Sequence, residues 1–159
     1  MPRLFFLLLL YCTIAKGQYE SLSDLRFPVD KELLLTLVNT KRSQGCQCGD
    51  TYYPAVSPLT WNKKLANAAQ KHSDEMAKRK KLTHYSKNGD DPGKRLSKEG
   101  YRWHAYTENV AMGYFDERTV IQGWLSSPAH CANIMNPLVK EMGVAYNGKY
   151  WTQVFGSEE

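Results

Sequence analysis

A catalytic zinc ion takes imidazole nitrogens and carboxylate oxygens at three positions and leaves a fourth open, and His84, His130 and Glu108 together offer that donor set. Their spacing does not single them out. The chain has neither a His-x-x-x-His pair nor a His-Glu-x-x-His element, so by themselves these residues read as hydrogen-bonding groups of a polar groove that takes metal only when metal is abundant. His72, on the face of an alanine-rich stretch, reads as a satisfied, partly buried side chain, and His104, beside Trp103 and Tyr106, is given no chemical role. A serine nucleophile at Ser127, served by His130 and Glu108, lacks the Gly-x-Ser-x-Gly elbow. Ser127 precedes Pro128, which suits it to ending a helix. Glycoside hydrolysis needs two carboxyl groups across the scissile bond, and Asp90 or Asp91 would have to join Glu108 from a separate loop.

Positioning these residues falls to a single domain, since 159 residues with 42% hydrophobic and 12% aromatic content bury one core. Asp30 caps a helix with Leu33, Leu34, Leu37 and Val38 in register, ending near Gly45. A Gly-, Pro-, Tyr- and Cys-rich loop over 45–60 leads to a second helix beginning near Asn62, with Leu65, Ala68, Ala69, His72 and Met76 on one face. The basic run at 78–81 closes that helix, where cations complement the negative end of the dipole. Read that way, the run carries no specific nucleic-acid partner. Residues 83–106 form a long loop with a short helix at 94–99, and 108–114 a short strand. A third helix over 117–125 turns Val120, Ile121 and Trp124 inward, and Asn147-Gly148 joins two strands over 139–155 in a hairpin. The sum is an α+β domain with a small antiparallel sheet. The tryptophans read as core and groove walls.

Arg3 followed by an apolar run over 4–10 reads as a signal peptide over 1–17, with Ala15 and Gly17 as the small residues before cleavage at Gln18. Acylation at Cys12 competes, against the bulk of Tyr11. No later stretch reaches membrane length, so the mature chain is expected to be secreted, extracellular or periplasmic, without a transmembrane segment. Loss of Arg3 and Lys16 lowers the formal charge from +5 to +3, a weak bias. Cys46, Cys48 and Cys131 remain, an odd number for an exported protein. A Cys-Cys-His metal site is conceivable, but an oxidising compartment favours a disulfide and one leftover thiol.

The segments NTKRSQGCQCGD, LTWNKKLANAAQKHSDEMAKRKKLTH, TENVAMGY and VIQGWLSSPAHCANIMNPLVKEMGVAYNGKYWTQVFG, in that order over 30–156, resemble the CAP superfamily of cysteine-rich secretory, antigen 5 and pathogenesis-related proteins. The likeness is to short bacterial-type members. It implies a domain over 30–156 after an extension at 18–29, with a tail at 157–159. It also implies an α-β-α sandwich with a three-stranded antiparallel sheet, and a cleft lined by two histidines and two glutamates that holds zinc in some members. His84, Glu108 of Thr-Glu-Asn and His130 of Pro-Ala-His-Cys match three of those four; Ser127, three residues after Trp124, stands where the second glutamate is usual, and Thr107 replaces a glycine. Bacterial-type members pair a Cys-Gly cysteine with a His-Cys cysteine, which implies Cys48 to Cys131 and leaves Cys46 over. That bridge closes a loop of roughly 80 residues and contributes about 4 kcal/mol through loop entropy.

Three functions follow from the resemblance. A binding module would hold a lipid, peptide or protein in the cleft of His84, Glu108, His130 and Ser127, with zinc or another divalent metal on His84 and His130, joined by Glu108, as a modulator. A zinc-dependent hydrolase would need Glu108 as base or ligand, not both, and Ser127 cannot replace the missing carboxylate. A structural domain without ligand asks nothing more of the cleft.

Overall fold

The computed structural model describes residues 28–158; the expected leader and its cleavage site, most of the 18–29 extension, and Glu159 lie outside the described residues. Side-chain caps start the helices. Asp30 accepts from the Leu33 amide at 3.0 Å to open α1 (Lys31–Gln44), and Asn62 accepts from Lys64 and Leu65 to open α2 (Lys63–Arg79). Asp91 caps α3 (Pro92–Lys98), and Asp116 caps α4 (Glu117–Ser126). Lys78 and Arg79 form the last turn of α2, and Lys80 ends it in the left-handed region at φ 53°.

The strands are β1 (Cys46–Cys48), β2 (Thr51–Tyr53), β3 (Thr60–Trp61), β4 (Trp103–Met112), β5 (Glu141–Asn147) and β6 (Tyr150–Glu158). β5, β6 and β4 form the expected antiparallel three. The sheet has a fourth member, however: two residues of β3 pair in parallel with β5, giving the order β3-β5-β6-β4. A two-residue strand has no period to read. β1 and β2 make a separate antiparallel ribbon inside the stretch expected to be a loop. β4 starts at Trp103 rather than near Glu108, because pairing with β6 as far as Glu158 recruits residues that look irregular in isolation. A fifth helix, α5 (Pro128–Ile134), follows α4 directly; Pro128 supplies its first turn, where no amide donor is needed.

Alternation along the strands divides the core in two. Val110, Ala145 and Val154 meet Leu65, Ala69, Met76 and Leu96 of α2 and α3. On the other face Ala111, Val144, Trp151 and Phe155 join a cluster with Leu34, Val38, Ile121, Trp124 and Ile134 of α1, α4 and α5. This is the α-β-α sandwich. Arg42 of α1 is fully buried in it without a carboxylate partner among the described residues; its guanidinium donates to the carbonyls of Ser57, Ile134, Asn136 and Val139. Burial lowers its pKa to about 10. A buried cation is tolerable here because it gathers the unpaired backbone of the 134–139 turn.

Candidate functional site

Glu108 occupies the edge strand β4, opposite Val154 of β6. Its side chain is 2% exposed, and both oxygens are engaged: Oε1 accepts from His84 Nδ1 at 2.9 Å, and Oε2 accepts from Arg95 Nη2 of α3. An ionised carboxylate only accepts, so the His84 proton sits on Nδ1 and Nε2 is left free. His84 itself is half-exposed, in the loop after α2. Arg95 holds that loop as well, donating to the His84 carbonyl at 2.8 Å and the Asp90 carbonyl at 3.2 Å.

His130 arrives from α5. The buried amide of Asn109, next to Glu108, donates to the His130 carbonyl at 3.2 Å and to Gln153 Oε1 at 3.0 Å across the β4–β6 pair. Asn133 of α5 donates in turn to the Glu108 carbonyl and to Asn109 Oδ1. This amide net ties α5 to the edge strand from the face opposite α3. Burial first, and then the charge on His84, push the His130 pKa below its ordinary value. A lowered pKa favours neutral His130, whose nitrogens are then available as donors of electron pairs.

Ser127 sits at the corner between α4 and α5, ending one and preceding the other, with no side-chain capping bond. It makes no hydrogen bond to His84 or His130, so no serine–histidine dyad is formed. Thr107 lies in regular β4 opposite Phe155, and among the described residues Lys80 is the only non-glycine with positive φ, so a glycine is not required at 107. Arg95, Asn109, Asn133 and Gln153 went unmarked in the sequence. The one signal for Arg95 was its place in the helix that Asp91 and Pro92 begin.

His72 lies behind the site and is 1% exposed. Its Nε2 approaches the Thr83 carbonyl at 2.7 Å, so Nε2–H donates, and Nδ1 has no partner among the described residues. Burial lowers its pKa, aided by Arg95 and opposed by Glu108, the Thr83 carbonyl and Glu75. The folded protein thus resists protonating it more than the unfolded chain does. That stabilisation is complete above the ordinary imidazole value and is lost as pH falls through it. Chemical denaturation at neutral and mildly acidic pH should show wild-type stability falling with acidification and His72→Gln falling less; equal slopes would remove His72 from the account.

Cys48 and Cys131 form a disulfide with Cα atoms 5.5 Å apart, tying β1 to α5 one residue beyond His130, and Cys46 is free. Among the described residues the only group of three or more metal-binding side chains with ligand atoms within 4.8 Å of one another is Cys46, Cys48 and Cys131. His84, Glu108 and His130 are not drawn together to that extent. A groove of about 390 Å³ lies between α2 and α3; His72 and Arg95 line it, while His84 and His130 do not.

The fold is a two-sided α-β-α sandwich with Glu108 buried on its edge strand between Arg95 and His84. The chain belongs to the CAP family, the cysteine-rich secretory protein family, whose sequence model matches residues 35–155. It is similar to an extracellular protein containing a SCP domain from Bacillus anthracis (TM-score 0.70, 27% identity, 80% of this chain and 40% of that one). An outer surface protein of Borrelia burgdorferi shares the fold (TM-score 0.65, 17% identity, 84% of this chain and 99% of that one). The "Uncharacterized membrane protein YlbC" of Bacillus subtilis is 30% identical over 100 residues, 63% of this chain and 29% of its own length. The chain therefore spans less than a third of that relative. No helix among the described residues is long and apolar enough to cross a membrane.

Proposed function

We propose that this is an exported binding module whose cleft, formed by His84, Glu108 and His130 with Ser127 at its margin, receives a lipid, peptide or protein ligand, with zinc as a modulator. The observation that carries the reading is the state of Glu108. Both of its oxygens are committed, one to Arg95 and one to His84, so no carboxylate remains to act as a general base. Export is supported by the leader-like run at 1–17 and by the Cys48–Cys131 bridge, which an oxidising compartment sustains.

The residues fit zinc in a particular way. Among the described residues His84 Nε2 and the ring nitrogens of His130 have no hydrogen-bond partner, whereas Glu108 is an orienting group behind His84, the carboxylate–histidine arrangement that fixes a ligand's tautomer. Two imidazoles would hold the ion, one protein ligand fewer than the three of a catalytic zinc site, and Glu108 would sharpen the affinity without touching it. Bound there, zinc supplies a Lewis-acid point at which a ligand's carbonyl, carboxylate or phosphate oxygen can dock.

Zinc titrated calorimetrically into metal-stripped protein should bind, with binding lost in both His84→Ala and His130→Ala and weakened about 10–100-fold in Glu108→Gln. Absence of binding to the wild type would sink the metal part of the proposal. Complete loss in a folded Glu108→Gln would make the glutamate a direct ligand. A zinc-dependent hydrolase is the second reading, favoured by the unpartnered ring nitrogens of His84 and His130, on which a bound zinc would supply an activated water without a protein base. Zinc-dependent turnover of ester or peptide substrates, lost in His84→Ala, would establish it over the binding reading.

A further inference from the structure

The free thiol of Cys46 lies 3.5 Å from Cys131 Sγ, which is already bonded to Cys48. Three sulfurs therefore share one site, all within 4.8 Å of one another. The arrangement follows from a Cys-x-Cys sequence on a strand: residues two apart on β1 point to the same face, and that face is turned toward α5. Cys48 and Cys131 are buried, while Cys46 is half-exposed, at the rim of the cluster.

We propose that this cluster is a thiol–disulfide exchange centre in which Cys131 is the shared partner of two alternative disulfides, Cys48–Cys131 and Cys46–Cys131. The Cys46 thiolate attacks Cys131 Sγ, a Cys46–Cys131 bond forms, and the Cys48–Cys131 bond breaks with its electron pair leaving on Cys48 Sγ. Cys48 then takes up the proton that Cys46 gave up. One disulfide and one thiol are present before and after, so no external oxidant or reductant is consumed. The attacking sulfur already lies 3.5 Å from the sulfur it would attack.

The exchange changes the shape of the protein beside its cleft. The ribbon of β1 and β2 would be tied to α5 two residues earlier along β1, at the cysteine opposite Tyr53 instead of the one opposite Thr51. Gly49 at the ribbon's turn packs against Pro128, the first residue of α5, where an added Cβ would fall 2.9 Å from the ring. Re-tying the ribbon therefore acts on the helix that carries His130, adjacent to Cys131. The half-exposed thiol would also be replaced by one at the buried position, withdrawing it from solution.

The test is to hold the purified protein starting at Gln18, which no longer carries Cys12, at mildly alkaline pH without added thiol, quench it in acid, label free thiols with a maleimide and map the disulfides by mass spectrometry without reduction. Label on Cys48 in a fraction of molecules, together with a Cys46–Cys131 linkage, is the expected result. Label confined to Cys46, however long the incubation, overturns the proposal. Cys48→Ser gives a second reading: it should form Cys46–Cys131 and present no reactive thiol, whereas two free thiols in the folded variant would count against exchange. Cys46→Ser should show only Cys48–Cys131, with no label. If Cys48→Ser does not fold, the wild-type labelling pattern decides alone.

Discussion

Arg95→Ala is expected to destabilise the folded protein by about 3–5 kcal/mol, the cost of breaking a buried ion pair by removing one partner. Arg95 and Glu108 side chains are 8% and 2% exposed, so water screens neither. Without the guanidinium, Glu108 keeps only half-exposed His84 as a partner. The carbonyls of His84 and Asp90 also lose a donor, which releases the loop between α2 and α3. Urea denaturation measures the loss, and a change below about 1 kcal/mol would place the pair among solvent-screened bridges. The double change Arg95→Met with Glu108→Gln should cost less than the two single changes summed, because it leaves no unpaired buried charge. The same logic bears on function. If Glu108 is held for orientation, Arg95→Ala should disturb zinc affinity along with stability.

Gly143→Ala should be the most damaging single methyl addition in the sheet, about 3 kcal/mol and at the upper end of what overpacking costs. A Cβ at 143 would lie 2.1 Å from the Ala66 nitrogen and 2.5 Å from the Leu65 carbonyl carbon. Those atoms belong to the backbone of α2, so no side chain can rotate away; either α2 lifts from β5 or the strand bends. Both would open the layer of Leu65, Ala69 and Ala145. Thermal unfolding of Gly143→Ala should show a clear drop in Tm, while Gly148→Ala, with open space around its Cβ position, should change it far less. Gly148 has φ 56°, so some backbone cost is expected there too. Equal melting temperatures for Gly143→Ala and wild type would refute the close approach of helix and sheet.

Local chemistry carried much of this fold. Asp30 as a cap, the start of α2 near Asn62, the apolar repeats of α1, α2 and α4, and Asn147-Gly148 between β5 and β6 are each decided by residues a few positions apart, which is why they could be read directly. The disulfide pairing was implied by family resemblance, since the three cysteines after residue 17 permit three pairings. The helix at 128–134 was hidden because a proline that starts a helix looks, in sequence, like one that ends the helix before it. β3 and the ribbon were hidden because strands of two and three residues exist only through their neighbours.

The candidate site divides along the same line. Sequence determined which residue types are available: two imidazoles, one carboxylate where the family pattern has two, and, after residue 17, one cysteine more than a single disulfide uses. Tertiary structure alone decided what each is free to do. It set Arg95 and His84 against Glu108, engaging both of its oxygens, and brought Asn109 and Asn133 beneath His130. It also set a third sulfur against the disulfide. The physical reason is that caps and turns are satisfied within one turn of chain, whereas a buried charge or thiol is defined by whatever the packing of separate elements places within a few ångströms of it.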